Sequence, residues 1–118
     1  MIHEIAGNNT SGGYSDGLGT EARFNELSGI IIGSDRKIYV CDSGNHLIRV
    51  ITFNSTGYFV ATLAGGGDGQ IEDGYEDGLG TASKFSNPIG ISIAGNSFVF
   101  VTDTKNHMIR RIRVSSGN

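Results

Sequence analysis

The sequence predicts an all-β protein built from two copies of one antiparallel, four-stranded unit, and three observations lead to this prediction. The stretch Asp16-Gly17-Leu18-Gly19-Thr20 recurs as Asp77-Gly78-Leu79-Gly80-Thr81, and the same offset of 61 residues holds without a gap as far as Arg49 and Arg110. Between these motifs lie short apolar or alternating runs typical of strands. Nineteen of the 118 residues are glycine, which indicates many tight turns.

The opening residues are predicted to be a strand that belongs to another sheet. Residues 2–7 align with residues 60–65 at an offset of 58, and 60–65 read as the last strand of the first unit. Residues 1–7 are therefore predicted to be a fourth strand, here called strand d, of a preceding unit.

Four strands are predicted in the first complete unit, at 29–32, 37–41, 47–53 and 58–63. The segments between them are short and rich in glycine, aspartate, asparagine and serine, which favours hairpins and an antiparallel sheet. One turn of helix is predicted at 20–24, with Thr20 as its cap.

The repeat divides the chain, predicted to be one domain over 1–118, into a first repeat at 8–65 and a second at 66–118. The second copy carries three extra residues within 66–73, where a loop absorbs them. Residues 115–118 align with the turn that follows the third strand, so the second repeat is predicted to lack its strand d.

Four-stranded units of this length, joined by one long loop each, are typical of the blades of a β-propeller. Each blade needs neighbours to cover its apolar faces, and two blades cannot close a ring. The sequence therefore predicts association, either with itself as a homotrimer of six blades, each opening strand completing a neighbour's last blade, or within a longer parent chain.

The runs Ile38–Val50 and Val99–Arg110 resemble the NHL repeat, and together the two copies cover essentially the whole chain. The segments 14–24 and 75–85 resemble the long insertion between blades found in one group of these repeats. The resemblance implies a six-bladed propeller of the NHL type that binds protein or, in some members, RNA. Leu27 stands where the family prefers proline, whereas Pro88 keeps it.

Composition excludes several classes of function. Nine basic and twelve acidic residues give a net charge of −3, which disfavours nucleic acid as a partner. The longest apolar run, Ile30 to Ile32, is far too short to cross a membrane. The single cysteine, Cys41, excludes an internal disulfide and is predicted to fill the core. These features do not indicate the cellular compartment in which the protein works.

Polar residues that recur in both copies are predicted to be structural. An aspartate at a strand end accepts backbone hydrogen bonds, asparagine tolerates positive φ, and histidine and arginine brace adjacent units. A catalytic site would need its groups once, converging on one spot, so no catalytic residue is predicted. The set comprises Asp42, Asn45, His46, Arg49, Asp103, Asn106, His107 and Arg110.

No metal site and no cofactor are predicted. The segment from Asp73 to Lys84 fails the EF-hand pattern, because Tyr75 stands at its third position and Lys84 where a bidentate glutamate is required. The glycine-rich stretches also lack the Gly-Lys-Ser/Thr signature that binds phosphate.

The long loops and the turns after the second strands should emerge on one face, because successive strands alternate in direction. We call this the loop face, and predict that it recognises a partner. Its distinctive residues are Tyr14, Tyr75, Glu72, Asp73, Glu76 and Asp77. The alternative is that the two tyrosines only cover the tops of the blades.

The sequence thus predicts a non-enzymatic binding and scaffold module that recognises a protein or peptide on the loop face and oligomerises to close the ring. Two alternatives stay open. One is a metal-dependent hydrolase or lyase, which would need polar side chains converging from several blades. The other is a structural fragment without a ligand.

Overall fold

A computed structural model describes residues 1–8, 11–78, 80–95 and 97–114. Within these residues the chain forms eight strands in two antiparallel sheets, with four single-turn 3₁₀ helices between them. The all-β class and the antiparallel pairing are confirmed. The strands are β1 (Gly17–Leu18), β2 (Leu27–Ile32), β3 (Ile38–Asp42), β4 (Leu47–Asn54), β5 (Gly57–Gly65), β6 (Pro88–Ala94), β7 (Phe98–Asp103) and β8 (Met108–Arg113).

The first sheet has the order β1-β5-β4-β3-β2. Its four long strands coincide with the four predicted ones, because alternating apolar residues cover one face while Gly, Asn and Asp close the hairpins. The two-residue strand β1 was not predicted; it comes from the long loop and pairs Gly17 with Val60 of β5.

The second sheet has the order β6-β7-β8 and repeats the registers of the first. Val101 lies opposite Arg110, as Val40 lies opposite Arg49. Among the described residues no strand pairs with the outer edge of β8. Residues 115–118, which align with the next turn, lie outside the described residues.

The predicted helical turn at 20–24 needs correction. The chain forms a 3₁₀ turn at Gly19–Glu21 instead, and no side chain caps it. A similar turn at Ser43–Asn45 follows β3 and ends at His46, whose φ of 61° is left-handed. Its copy at Thr104–Asn106 ends at His107 with a φ of 58°.

The main core lies between the two sheets. Tyr39, Cys41 and Ile48 of the first sheet and Val99 and Val101 of the second are buried in one cluster. Their branched and aromatic side chains fill the inner faces of both sheets, so the two repeats are fixed against each other by apolar packing. No helix in the described residues has the length and apolarity needed to cross a membrane.

Residues 1–7 form no strand in the described chain, but their last residues pack on the first repeat. The amide of Gly7 donates to the carbonyl oxygen of Gly19 over 2.9 Å. Gly7 has a φ of 94°, and Gly65, at the end of β5, has a φ of 95°. The assignment of this segment to a neighbouring sheet stays a prediction.

Candidate functional site

Arg49 projects from β4 beneath the first of the two long loops, which contain segments 14–24 and 75–85, and holds that loop to the sheet. Its side chain is fully buried, donating to Asp42 Oδ2 and to Asp16 Oδ1, each over 2.7 Å. It also donates to the carbonyl oxygens of Ser15 at 2.8 Å and Arg23 at 2.9 Å. Charge-assisted hydrogen bonds of this kind are the strong ones in proteins, so both ends of the loop are fixed.

Two aromatic rings complete the surroundings of Arg49. Its guanidinium carbon lies 5.2 Å from the centre of the Tyr14 ring and 4.9 Å from that of Phe24. The Tyr14 hydroxyl lies 3.4 Å from the hydroxyl of Thr62 on β5. Tyr14 is thus half-buried between an arginine and a neighbouring strand, in contact with both.

The second repeat builds the same arrangement around Arg110. This arginine donates to Asp103 Oδ2 over 2.7 Å and to Asp77 Oδ1 over 2.9 Å, and to the carbonyl oxygens of Lys84 and Glu76. Its guanidinium carbon lies 5.0 Å from the Tyr75 ring centre. We call each buried arginine, with its two aspartates, a latch.

The predicted aspartates Asp42 and Asp103 belong to the latches, and the predicted asparagines Asn45 and Asn106 donate hydrogen bonds to them. Asp42 accepts hydrogen bonds from the amide of Asn25, from Asn45 Nδ2 and from Arg49. Asn45 also donates to the carbonyl oxygen of Gly13, as Asn106 does to that of Gly74. Because both oxygens of Asp42 are occupied and its side chain is buried, the arrangement can position loops but offers no free base.

The two histidines of the repeated motif, His46 and His107, differ in their surroundings. His46 Nδ1 accepts the backbone N–H of Asn87 over 3.0 Å, so it joins the first repeat to the start of β6. His107 is exposed. The difference follows from position, because the second sheet covers His46 and no described residue covers His107 in the same way.

The predicted acidic residues of the loop face are exposed and lie close together. Lys84 Nζ lies 3.1 Å from Glu72 and 3.2 Å from Glu76, and its hydrogen bonds to them raise the pKa of Lys84. Asp77 is paired with Arg110, while Asp73 makes no hydrogen bond or ion pair with the part of the chain that the structure describes. This loop therefore presents more negative than positive charge.

Tyr75 is 52% exposed, whereas its counterpart Tyr14 is half-buried. Strand β5 contacts Tyr14 through Thr62, and β8 has no such neighbour among the described residues. Part of the exposure of Tyr75 thus reflects an uncovered sheet edge.

Sequence reasoning missed the polar contacts at the junction of the sheets. The hydroxyls of Ser28 and Ser43 lie 2.6 Å apart, and Ser43 also donates to the carbonyl oxygen of Pro88. Cys41 lies in the same junction, and burial, which outweighs an opposing hydrogen bond at Gly29, raises the pKa of its thiol to about 12. Serines carry no pattern that distinguishes a junction from a turn, so no signal in the sequence points to them.

The described residues contain no group of three or more His, Cys, Asp or Glu side chains placed to hold a metal ion. The site residues thus form two latches, one inter-sheet histidine contact and one acidic loop.

Comparison with known proteins adds a family and several relatives. Residues 24–51 match the family model described as NHL repeat. The chain is 38% identical over 100 residues to NHL repeat-containing protein 2 of Gallus gallus, a match that covers 83% of this chain and 13% of that protein. The chain spans only 9 to 13% of the length of the curated relatives it matches.

Two solved structures from Bacteroides share the fold. An auxiliary nutrient binding protein from Bacteroides ovatus superposes with a TM-score of 0.72 at 30% identity, over 91% of this chain and 27% of that one. A protein from Bacteroides thetaiotaomicron, provisionally called a phosphatase, superposes with a TM-score of 0.74 at 25% identity, over 98% and 27%. The chain thus resembles about a quarter of each larger structure.

Proposed function

Because the chain carries an NHL repeat at residues 24–51 and a second copy 61 residues later, we propose that it is a non-enzymatic binding module that recognises a protein or peptide on its loop face. The observation that carries the proposal is that each long loop is held by a buried arginine latch. A loop fixed before binding loses little conformational entropy when a ligand arrives.

The charge of the loop face favours a basic partner. Glu72, Asp73, Glu76 and Asp77 supply four carboxylates, and among the described residues only Lys84 and Arg110 pair with them. We therefore propose a peptide segment with lysine or arginine side chains as the ligand. A binding role also agrees with the name of one structural relative, an auxiliary nutrient binding protein.

The proposal includes self-association that completes the propeller. Two repeats supply two blades, and three copies of the chain would supply the six implied by the NHL resemblance. Sedimentation equilibrium tests this self-association. A mass of three chains is expected, and a monomer at the highest soluble concentration would rule the self-association out.

Recognition is tested with an array of basic peptides and fluorescently labelled protein. Asp73→Asn should weaken binding to lysine- and arginine-containing spots several-fold, because it removes a carboxylate that forms no hydrogen bond or ion pair with any described residue. The control for charge is Asp35→Asn, in the turn between β2 and β3 at the opposite end of the sheet, which removes the same charge while its amide oxygen can still accept the hydrogen bond from the Lys37 N–H. An equal loss of binding in both variants, or no binding by the unsubstituted protein, would reject a loop-face site.

A second candidate function rests on the relative provisionally called a phosphatase. Para-nitrophenyl phosphate, assayed with added Mg²⁺, Mn²⁺ or Zn²⁺, is the direct test. Turnover that follows the folded protein through purification and is lost with Asp77→Asn would favour the enzyme over the binding module.

A further inference from the structure

The junction between the two sheets shows how one repeat packs on the next. Ile91 and Ile93 of β6 pack against the cluster that contains Cys41 and Ile48 of the first sheet. At one end of the junction, Asn87 donates its N–H to His46. The junction therefore has an apolar centre and a polar end.

The outer face of each sheet presents one half of this same junction, and no described residue covers it as the junction itself is covered. Ile109 occupies the position of Ile48, yet it is 74% exposed whereas Ile48 is fully buried. Ile30 and Ile32 occupy the positions of Ile91 and Ile93, and they are 66% and 64% exposed. Large apolar side chains grouped in this way mark association surfaces.

The opening segment already lies where the last strand of a preceding sheet would end. The carbonyl oxygen of Ile5 lies against Gly19, as that of Leu63 lies against Gly80. Gly7 approaches the ring of Phe24, as Gly65 approaches that of Phe85, and the two glycines share their φ. Residues 5–7 thus relate to the first sheet as the end of β5 relates to the second.

Among the described residues, no strand occupies the corresponding position beside β8. A cavity of about 500 Å³ is lined by β8 and by the second long loop, including Tyr75, Asp77 and Arg110. In the first sheet, β5 fills the equivalent position and covers Tyr14 through Thr62.

From these observations we propose that a second copy of the chain docks head to tail, its residues 2–7 adding to the edge of β8 and its β2 packing on the exposed face around Ile109. The inference rests on the proposed self-association and assigns its surfaces. The register follows from the pairing of β4 with β5: Gly7 lies opposite Met108, Glu4 opposite Arg110 and Ile2 opposite Ile112.

The polar end of the junction is reproduced as well. Glu26 of the docking copy has a φ of 57°, and Asn87, its counterpart, has a φ of 56°. Its N–H therefore takes the place of the Asn87 N–H and donates to Nδ1 of His107, which is exposed in the single chain. A second copy fits because its Ile30, its Ile32 and the backbone at its Glu26 repeat features that the junction already accepts from the second repeat.

The two surfaces differ, so the interface is heterologous, and this makes it testable by mixing variants. Ile30→Asp and Ile109→Asp each place a charge on one of the two surfaces, at positions that are exposed in the single chain. Each variant alone should be monomeric, with its dissociation constant raised at least about tenfold. An equimolar mixture should form a one-to-one dimer, because one intact surface remains on each partner.

Analytical ultracentrifugation without any peptide measures these masses, and unchanged circular dichroism and urea midpoints show that the variants fold. Assembly that persists in either single variant, a mixture that stays monomeric, or a parent protein that does not associate would each overturn the inference. Binding on the peptide array can succeed or fail independently, so the two proposals are separated.

A second variant tests the register of the added strand. In the first sheet Thr62 donates to Asp16 over 3.1 Å, but Glu4 aligns with Thr62 and would bring its carboxylate beside that of Asp77. Glu4→Thr should therefore lower the concentration for half-assembly several-fold. Asp68→Asn, which removes a negative charge elsewhere, is the control, and an unchanged or weakened assembly in Glu4→Thr would exclude this register.

Discussion

Arg49 and Asp42 form an ion pair of 2.7 Å in which neither side chain is exposed to solvent. A buried pair contributes little net stability compared with apolar packing, but removal of one partner leaves an uncompensated charge in the core. Arg110 and Asp103 repeat the pair at 2.7 Å with the arginine 8% exposed.

Arg49→Ala is expected to lower the free energy of unfolding by about 3–5 kcal/mol, because Asp42 would remain buried without its cation. Arg110→Ala should cost less, since Arg110 is already 8% exposed at the open edge of β8, and its removal would let water reach Asp103, which is buried while Arg110 is present. Urea denaturation followed by circular dichroism measures both. Losses of equal size would contradict the role assigned to the sheet edge.

Within one latch the two aspartates should differ. Asp16 is 43% exposed, so Asp16→Asn should cost about 1 kcal/mol or less, whereas the buried Asp42 should show a loss several times larger on Asp42→Asn. The same denaturation experiment compares the two variants, each of which removes one negative charge. A larger loss of unfolding free energy in Asp16→Asn than in Asp42→Asn would contradict the greater contribution assigned to the buried aspartate.

Cys41 should make the stability sensitive to alkaline pH. Its thiol titrates near pH 9.0 when solvated, and burial raises the pKa to about 12 in the folded chain, so the folded state holds more protons between these values. The stabilisation is complete below pH 9 and is lost as the pH rises towards 12. Tyr39, whose pKa is raised to about 12 by burial and by Asp35, acts in the same direction above pH 10.

Cys41→Ala should therefore show a shallower fall in unfolding free energy between pH 9 and pH 11 than the parent, although it is less stable at pH 7 because it leaves a cavity. Iodoacetamide should label the parent at pH 8 only after urea is added. Rapid labelling of the native protein, or parallel pH curves, would show that the thiol is accessible.

Gly19→Ala should displace the opening segment, because the added Cβ would collide with the carbonyl oxygen of Ile5. Hydrogen exchange read by mass spectrometry should show faster exchange at the amide of Gly7, which the Gly19 carbonyl protects. Gly78→Ala is the control, since its Cβ would meet Ala82 at an ordinary 3.4 Å. Unchanged exchange in Gly19→Ala would mean that the segment is held elsewhere.

The strands and the equivalence of the two copies could be predicted from the sequence because they depend on local alternation and on turn residues. The run from Leu47 to Phe53 is β-branched and forms β4, as expected. Asp42 and Arg49 are predicted to be structural because their spacing recurs in both copies, but their mutual pairing is not predicted, since Arg49 is expected to brace an adjacent unit and instead bonds within its own repeat. Local signals of this kind can be recognised in the sequence without knowledge of the neighbouring sheet.

Features that depend on contacts between distant segments could not be predicted. Ile48 and Ile109 have equivalent sequences around them, and only the presence of a covering sheet makes one buried and the other exposed. The short strand β1 forms because the latch brings Gly17 beside Val60, which no periodic pattern indicates. Alternation shows which residues share a face but not what covers that face.

The latches hold main-chain oxygens at both ends of each loop, those of Ser15 and Arg23 in one repeat and of Glu76 and Lys84 in the other. Every amino acid supplies such an oxygen, so the anchorage is indifferent to the side chains at these four positions. The outward side chains of these loops can therefore be substituted, in evolution or by design, and the ligand changed, while the hydrogen bonds that hold the loops stay in place.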